Sequence, residues 1–298
     1  MSITHLKING VTSPLGYDPN PLLLSWHTEA DAASQTEARV RVWNEQKQLV
    51  WETQGNLNWE GTLLDFKPFP RTHYTVQVDV TDNTGALHTG ETWFETGKLG
   101  EPWQAKWIGI DHEGDWAPVL TGSFAVKGAV TAARLYMVGL GVYAATLNGK
   151  PFTDEILAPG LWYFEEETQY QTYDVTQFIQ SENKLEVLLA NGWYKGRFGL
   201  DHPPYGNQFG LLVELHLSLA DGTTQIFCTD ESWQWYESDL ASGNGIYDGE
   251  TLNRLSHADK ENPLRPVIPV DLGLRVADRL SPPVKEALSL PVVEVIHT

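Results

Sequence analysis

The sequence predicts an all-β chain: a fibronectin type III or immunoglobulin-like sandwich followed by a jelly-roll β-sandwich. Three observations predict it. The dominant apolar period is two, the mark of half-buried antiparallel strands. Turn signals recur between the strand-like runs at short spacing. No stretch carries the period of a long amphipathic helix.

The first unit is expected over residues 1–98. Its strands are "PLLLSW" (21–26), "EARVRVWN" (37–44), "QLVWET" (48–53), "TLLDF" (62–66), "HYTVQVDV" (73–80) and "TWFET" (92–96). In 37–44, Ala38, Val40 and Val42 alternate with Arg39, Arg41 and Trp43. In 73–80, Tyr74, Val76, Val78 and Val80 share one face, and Thr75, Gln77 and Asp79 the other. "TDNTG" (81–85) reads as a turn. "GKLGEPW" (97–103) reads as a linker.

The second unit is expected over 99–260. It has strands at 119–126, 132–138, 142–147, 169–175, 184–190, 209–217, 223–228 and 232–236. Asn148-Gly149 is the strongest short hairpin signal, and Asp221-Gly222 is another. A short helical turn is expected at "DVTQFI" (174–179), with Asp174 or Thr176 as its N-cap. Residues 261–298 are Pro-rich and read as a linker, with "PVVEVIHT" as the first strand of a following β domain. The chain thus reads as the front of something longer.

The net charge of −19 argues against nucleic acid and against anionic membranes as partners. Cys228 is the sole cysteine, so neither an internal disulfide nor a cysteine-rich zinc site is possible. Its strand-like surroundings predict a buried, inert thiol. The N-terminus "MSITHLKINGV" lacks a basic segment followed by an apolar one, and no run reaches membrane-spanning length. A cytoplasmic protein is expected.

Nucleophile elbows, phosphate-binding loops and metal-binding helix motifs are absent. "GLGVYAATLNG" (139–149) has GxG spacing but reads as a tight turn between strands. "FEEET" (164–168) groups three glutamates, and "GIDHEGDW" (109–116) groups Asp111, His112, Glu113 and Asp115. Solvated charge is the better reading of both.

Two segments hold the residue mix that recognises sugars, namely aromatic faces for C–H surfaces and charged or amide groups for hydroxyls. One is "LLANGWYKGRFGLDHPPYGN" (188–207), with Asn191, Trp193, Tyr194 and Arg197. The other is "GNGIYDGETLNRL" (243–255), with Asn244, Tyr247, Asp248, Glu250 and Arg254. A purely structural alternative stands beside this. Trp193 and Tyr194 would be buried under their loop, and Arg197 paired with Asp248 or Glu250.

The ordered series "WFETGKL", "WQAKWIG", "ARLYMVGLGVYAATLNGK", "LAPGLWYFEEETQYQTYDVT", "LLANGWYKGRFG" and "IYDGETLNRL" resembles the N-terminal, non-catalytic region of bacterial α-L-rhamnosidases, an inverting glycoside hydrolase family. The resemblance spans roughly 1–298 and is strongest from 92 to 255. It implies a parent protein that cleaves terminal α-L-rhamnose from glycosides. It also implies a C-terminal (α/α)₆ barrel that carries the catalytic acid and base, so no catalytic residue is expected in this chain. The implied partners are L-rhamnose or a rhamnosylated glycoside, and that barrel. In some members the sandwich is similar to a module that holds L-rhamnose through Ca²⁺. On that basis the resemblance implies Asn191 as a hydroxyl or Ca²⁺ ligand and Trp193 as a stacking face. A brace docked on the barrel, and a stand-alone carbohydrate-binding protein, remain as alternatives.

Overall fold

The structure is a computed structural model that describes residues 2–29, 34–111, 114, 116–197, 199, 205–241, 245–253 and 262–294. It divides into two compact units, residues 1–102 with 277–282, and 103–276 with 283–298.

The first unit has a three-stranded sheet, Ser2–Ile8, Leu23–Glu29 and Thr62–Leu63, and a five-stranded sheet. The latter runs in the order Leu15–Tyr17, Leu87–Thr96, His73–Asp82, Gln35–Asn44, Leu49–Gly55. The period-two reading holds residue by residue. Ala38, Val40, Val42, Tyr74, Val76, Val78 and Val80 are all buried in one core with Leu24, Trp26 and Phe94. Pleat geometry sends the intervening residues to the opposite face.

The turn expected at 81–85 forms, and Asp82 organises it. Its carboxylate accepts from the backbone N–H groups of Thr84 (2.8 Å) and Ala86 (3.1 Å) and from the Thr84 hydroxyl (2.6 Å), and lies 2.8 Å from His88 Nε2. The bonds from Thr84 and His88 hold its pKa well below the usual carboxylate range. A depressed carboxylate contributes stability above its unfolded pKa and loses it as pH falls. Asp82→Asn is therefore expected to flatten the acid-side loss of first-unit stability below about pH 4. Denaturant melts across that range check this, and an unchanged acid slope contradicts it.

The second unit is a sandwich of two six-stranded sheets. One runs Lys150–Pro151, Val142–Leu147, Glu182–Ala190, Trp116–Ala125, Gln234–Ala241, Arg265–Pro266. The other contains Gln171–Asp174, Val130–Leu140, Gly210–Leu219, Ile108–Gly109 and Ile268–Pro269, with Thr224–Cys228 paired to Gly210–Leu219. Leu120, Val187, Leu185 and Leu147 from the first meet Leu135, Met137, Val213 and Leu215 from the second in one core. The expected helical turn is a 3₁₀ turn, Thr176–Phe178. Asp174 Oδ1 accepts from the Thr176 N–H (3.0 Å) and hydroxyl (2.6 Å) just before it.

Three details differ from expectation. Cys228 is only partly buried, because it closes the strand Thr224–Cys228 at the sheet's outer border. "PVVEVIHT" forms no strand over its described residues 291–294, and Val292 and Val293 are exposed, without a pairing edge. Lastly, Glu167 of "FEEET" is not solvated like Glu165 and Glu166 but forms an ion pair with Arg275. His112, Glu113 and Asp115 lie outside the described residues, and no helix among the described residues is long and apolar enough to cross a membrane.

Candidate functional site

The strand Glu182–Ala190 leads into the first candidate loop. Asn191 turns into helical backbone (φ −57°, ψ −41°), and one helical turn, Gly192–Lys195, follows. Glycine is required at 192, where φ is +53° and a Cβ would lie 2.6 Å from the Val142 nitrogen.

The turn sorts its two aromatics. Tyr194 is buried, edge-on to Phe164 at 5.3 Å. Burial pushes its phenol pKa up. Gly206 closes over it, and any Cβ there would sit 2.2 Å from the Tyr194 hydroxyl oxygen. Trp193 is partly buried against the cluster of Leu140, Phe164 and Tyr194. Lys195 folds back, donating to the Asn207 carbonyl at 2.8 Å and lying 4.5 Å from the Phe209 ring centre.

Arg197 points the other way and joins the second segment. Its Nε and Nη2 both donate to Asp248 Oδ1, at 2.9 and 2.8 Å, and Nη1 donates to the Gly199 carbonyl at 2.8 Å. The guanidinium lies 5.6 Å from the Tyr247 ring centre. Both charged partners are about two-fifths exposed, at 41% and 42%. An ion pair this open contributes little to stability. Both arginine bonds converge on one carboxylate oxygen, Oδ1. Tyr247 is half-exposed, and Glu250 is exposed on the same loop.

Seven predicted residues thus fall on two adjoining loops, and Arg197, Tyr247 and Asp248 are in direct contact. Glu250 is not the partner of Arg197. Asn244 and Arg254 lie outside the described residues. The Asn191 side chain makes no capping hydrogen bond. Calcium takes six to eight oxygen ligands, and no cluster of three or more acidic, His or Cys side chains occurs among the described residues. The cations Lys195 and Arg197 share the Asn191 loop. Phe164, Trp162 and Tyr205 were not singled out from sequence as site-forming, yet they floor this region. The aromatic run "WYF" (162–164) was the available signal, masked by the glutamates that follow it.

A tandem β-sandwich protein whose second sandwich carries an aromatic, arginine and carboxylate rim at its loop end is the class that fold and site define. Residues 3–100 match the family profile described as the Rha78A-like, N-terminal immunoglobulin domain, and residues 128–262 match that of the alpha-L-rhamnosidase N-terminal domain. The chain carries the N-terminal β domains that these two rhamnosidase profiles describe. It is 34% identical over 161 residues to an alpha-L-rhamnosidase of Alteromonas sp., covering 50% of this chain and 18% of that protein. It is 38% identical over 126 residues to one from Streptomyces avermitilis, covering 42% of this chain and 12% of that protein. The chain thus spans under a quarter of the length of these relatives.

Among solved structures, the alpha-L-rhamnosidase of Dictyoglumus thermophilum superposes with a TM-score of 0.77 at 25% identity, over 95% of this chain and 36% of that one. The Streptomyces avermitilis enzyme complexed with L-rhamnose gives 0.79 at 19% identity, over 92% of this chain and 45% of that one. The second likeness shows the fold alone.

Proposed function

We propose that this chain is an accessory region of an α-L-rhamnosidase that recognises L-rhamnose or a rhamnosylated glycoside at the 191–197 and 245–250 loops. It carries no catalytic residue of its own. The whole protein hydrolyses terminal α-L-rhamnose, with the acid and base supplied by a C-terminal barrel. The observation that carries the reading is the convergence of Arg197, Asp248 and Tyr247 from segments about fifty residues apart. The Asp248 carboxylate and the arginine N–H groups suit vicinal hydroxyls, and the aromatic rings suit the apolar face of a deoxysugar. The relatives from Alteromonas sp. and Streptomyces avermitilis, each an alpha-L-rhamnosidase, support the sugar class.

The test is calorimetric titration of the chain with L-rhamnose. Saturable binding is expected. Arg197→Ala and Asp248→Ala are each expected to weaken it roughly tenfold, the scale of a lost charged hydrogen bond. The titration is repeated with Ca²⁺ and then with chelator. Loss under chelator overturns the view that these side chains suffice. Turnover of an aryl α-L-rhamnoside by this chain contradicts the accessory role.

A second reading, a brace that docks on the barrel, is favoured by one observation. Arg197 and Asp248 form an ion pair with each other across the two loops. Absence of any rhamnose binding supports that reading.

A further inference from the structure

The outer face of the five-stranded sheet in the first unit carries a second arrangement that the rhamnose loops do not explain. Strand register puts Trp43 directly opposite Thr75, and Thr75 directly opposite Trp93. Cross-strand partners share a face, so the two indoles flank a small residue on that face. They stand two strand spacings apart, about 10 Å. The neighbouring row, in the same register, is Glu52, Arg41, Gln77 and Glu91.

Each indole is held from one side. The Arg41 guanidinium lies 5.3 Å from the Trp43 ring centre, and the His73 ring stacks on Trp93 at 5.1 Å and 29°. Arg41 is itself fixed by Asp79, which also accepts from Gln77 and Thr89. Trp43, Thr75, Gln77 and Trp93 are partly exposed, and Glu91 is exposed. The core of this unit needs none of these side chains, because the alternate residues fill it.

We propose that this face binds a neutral oligosaccharide chain, with Trp43 and Trp93 stacking on separate sugar rings and Gln77 and Glu91 taking hydroxyls. The spacing of the indoles exceeds the width of one pyranose, which selects a chain over a monosaccharide. Glu52 and Glu91, with the net charge of −19, disfavour an acidic polysaccharide. The indole row lies on the flat face of the sheet, which presents side chains and not the backbone groups that strand addition by a peptide needs. Its aromatics alternate with polar groups, unlike the contiguous apolar patch of a protein interface. The inference stands apart from the rhamnose reading, because it concerns the other unit and a different ligand.

The experiment titrates the chain with cellohexaose, mannohexaose and L-rhamnose, followed by calorimetry and tryptophan fluorescence. At least one hexasaccharide is expected to bind saturably with a change in tryptophan emission. Trp43→Ala and Trp93→Ala are each expected to weaken that binding roughly tenfold, with Trp43→Phe and Trp93→Phe recovering part of it. Arg197→Ala is expected to leave hexasaccharide binding unchanged, which separates this face from the rhamnose loops. Gln77→Ala with Glu91→Ala, changed on the polar row alone, is expected to weaken binding without altering the core. Absence of hexasaccharide binding, or binding indifferent to all of these changes, overturns the proposal.

Discussion

Trp233→Ala is expected to destabilise the second unit by about 3–5 kcal/mol, the range for emptying a buried large aromatic site. Trp233 is 1% exposed, and its ring stacks on Phe227 at 5.5 Å, which in turn stacks on Phe124 at 4.5 Å. Its Nε1–H donates to the Cys228 carbonyl at 3.0 Å. The indole lies flat because residue 122 is glycine. A Cβ there would meet the ring at 2.4–2.8 Å. Gly122→Ala is therefore harmful with Trp233 present, by roughly 1–3 kcal/mol of overpacking. In the Trp233→Ala background it is expected to be close to neutral. Chemical denaturation of the unaltered chain and the three variants checks this, reading the second unit's transition. Additive losses contradict the packing.

Gly141→Ala is expected to cost about 4 kcal/mol. The strain of φ at +123° contributes roughly 1–3 kcal/mol. The clash of a Cβ 2.2 Å from the Ala190 carbonyl oxygen contributes roughly 1–3 kcal/mol more. Gly141 is the single residue between the strands Val130–Leu140 and Val142–Leu147, which belong to different sheets. Gly192 packs against this corner from the other side, its would-be Cβ 2.8 Å from the Gly141 carbonyl carbon. The corner thus sets where the Asn191–Arg197 loop begins, and rhamnose binding is expected to fall along with stability. Gly149→Ala is the control. It has φ of +73° but nothing within 4 Å of a new Cβ, so a loss of only about 1–2 kcal/mol is expected. Equal losses at the two positions contradict the role given to the clash.

Much of the fold is legible because a pleat writes itself into sequence locally. Val40 and Val42 against Arg39 and Arg41, or Asn148-Gly149 between two strands, need only neighbours to be interpreted. Ser2–Ile8 escapes for an equally local reason. His5 takes φ of +50°, and the register with Leu23–Glu29 shifts between Thr4 and Lys7. That bulge puts Leu6 and Ile8 inside but breaks the alternation that announces a strand. Leu15–Tyr17 is three residues long, pairs in parallel with Leu87–Thr96, and has no period to read.

The sequence by itself determined the residue types available for recognition, the all-β class, and the candidate segments at 191–207 and 243–255. Only the tertiary structure decided that Arg197 meets Asp248 and not Glu250, and that Tyr194 is buried while Trp193 stays partly open. It likewise decided that Trp43 and Trp93 bracket Thr75. The reason is separation along the chain. Alternation within one strand is fixed by the pleat, whereas partners 51 residues apart, such as Arg197 and Asp248, are chosen by where one sheet brings the ends of Glu182–Ala190 and Gln234–Ala241.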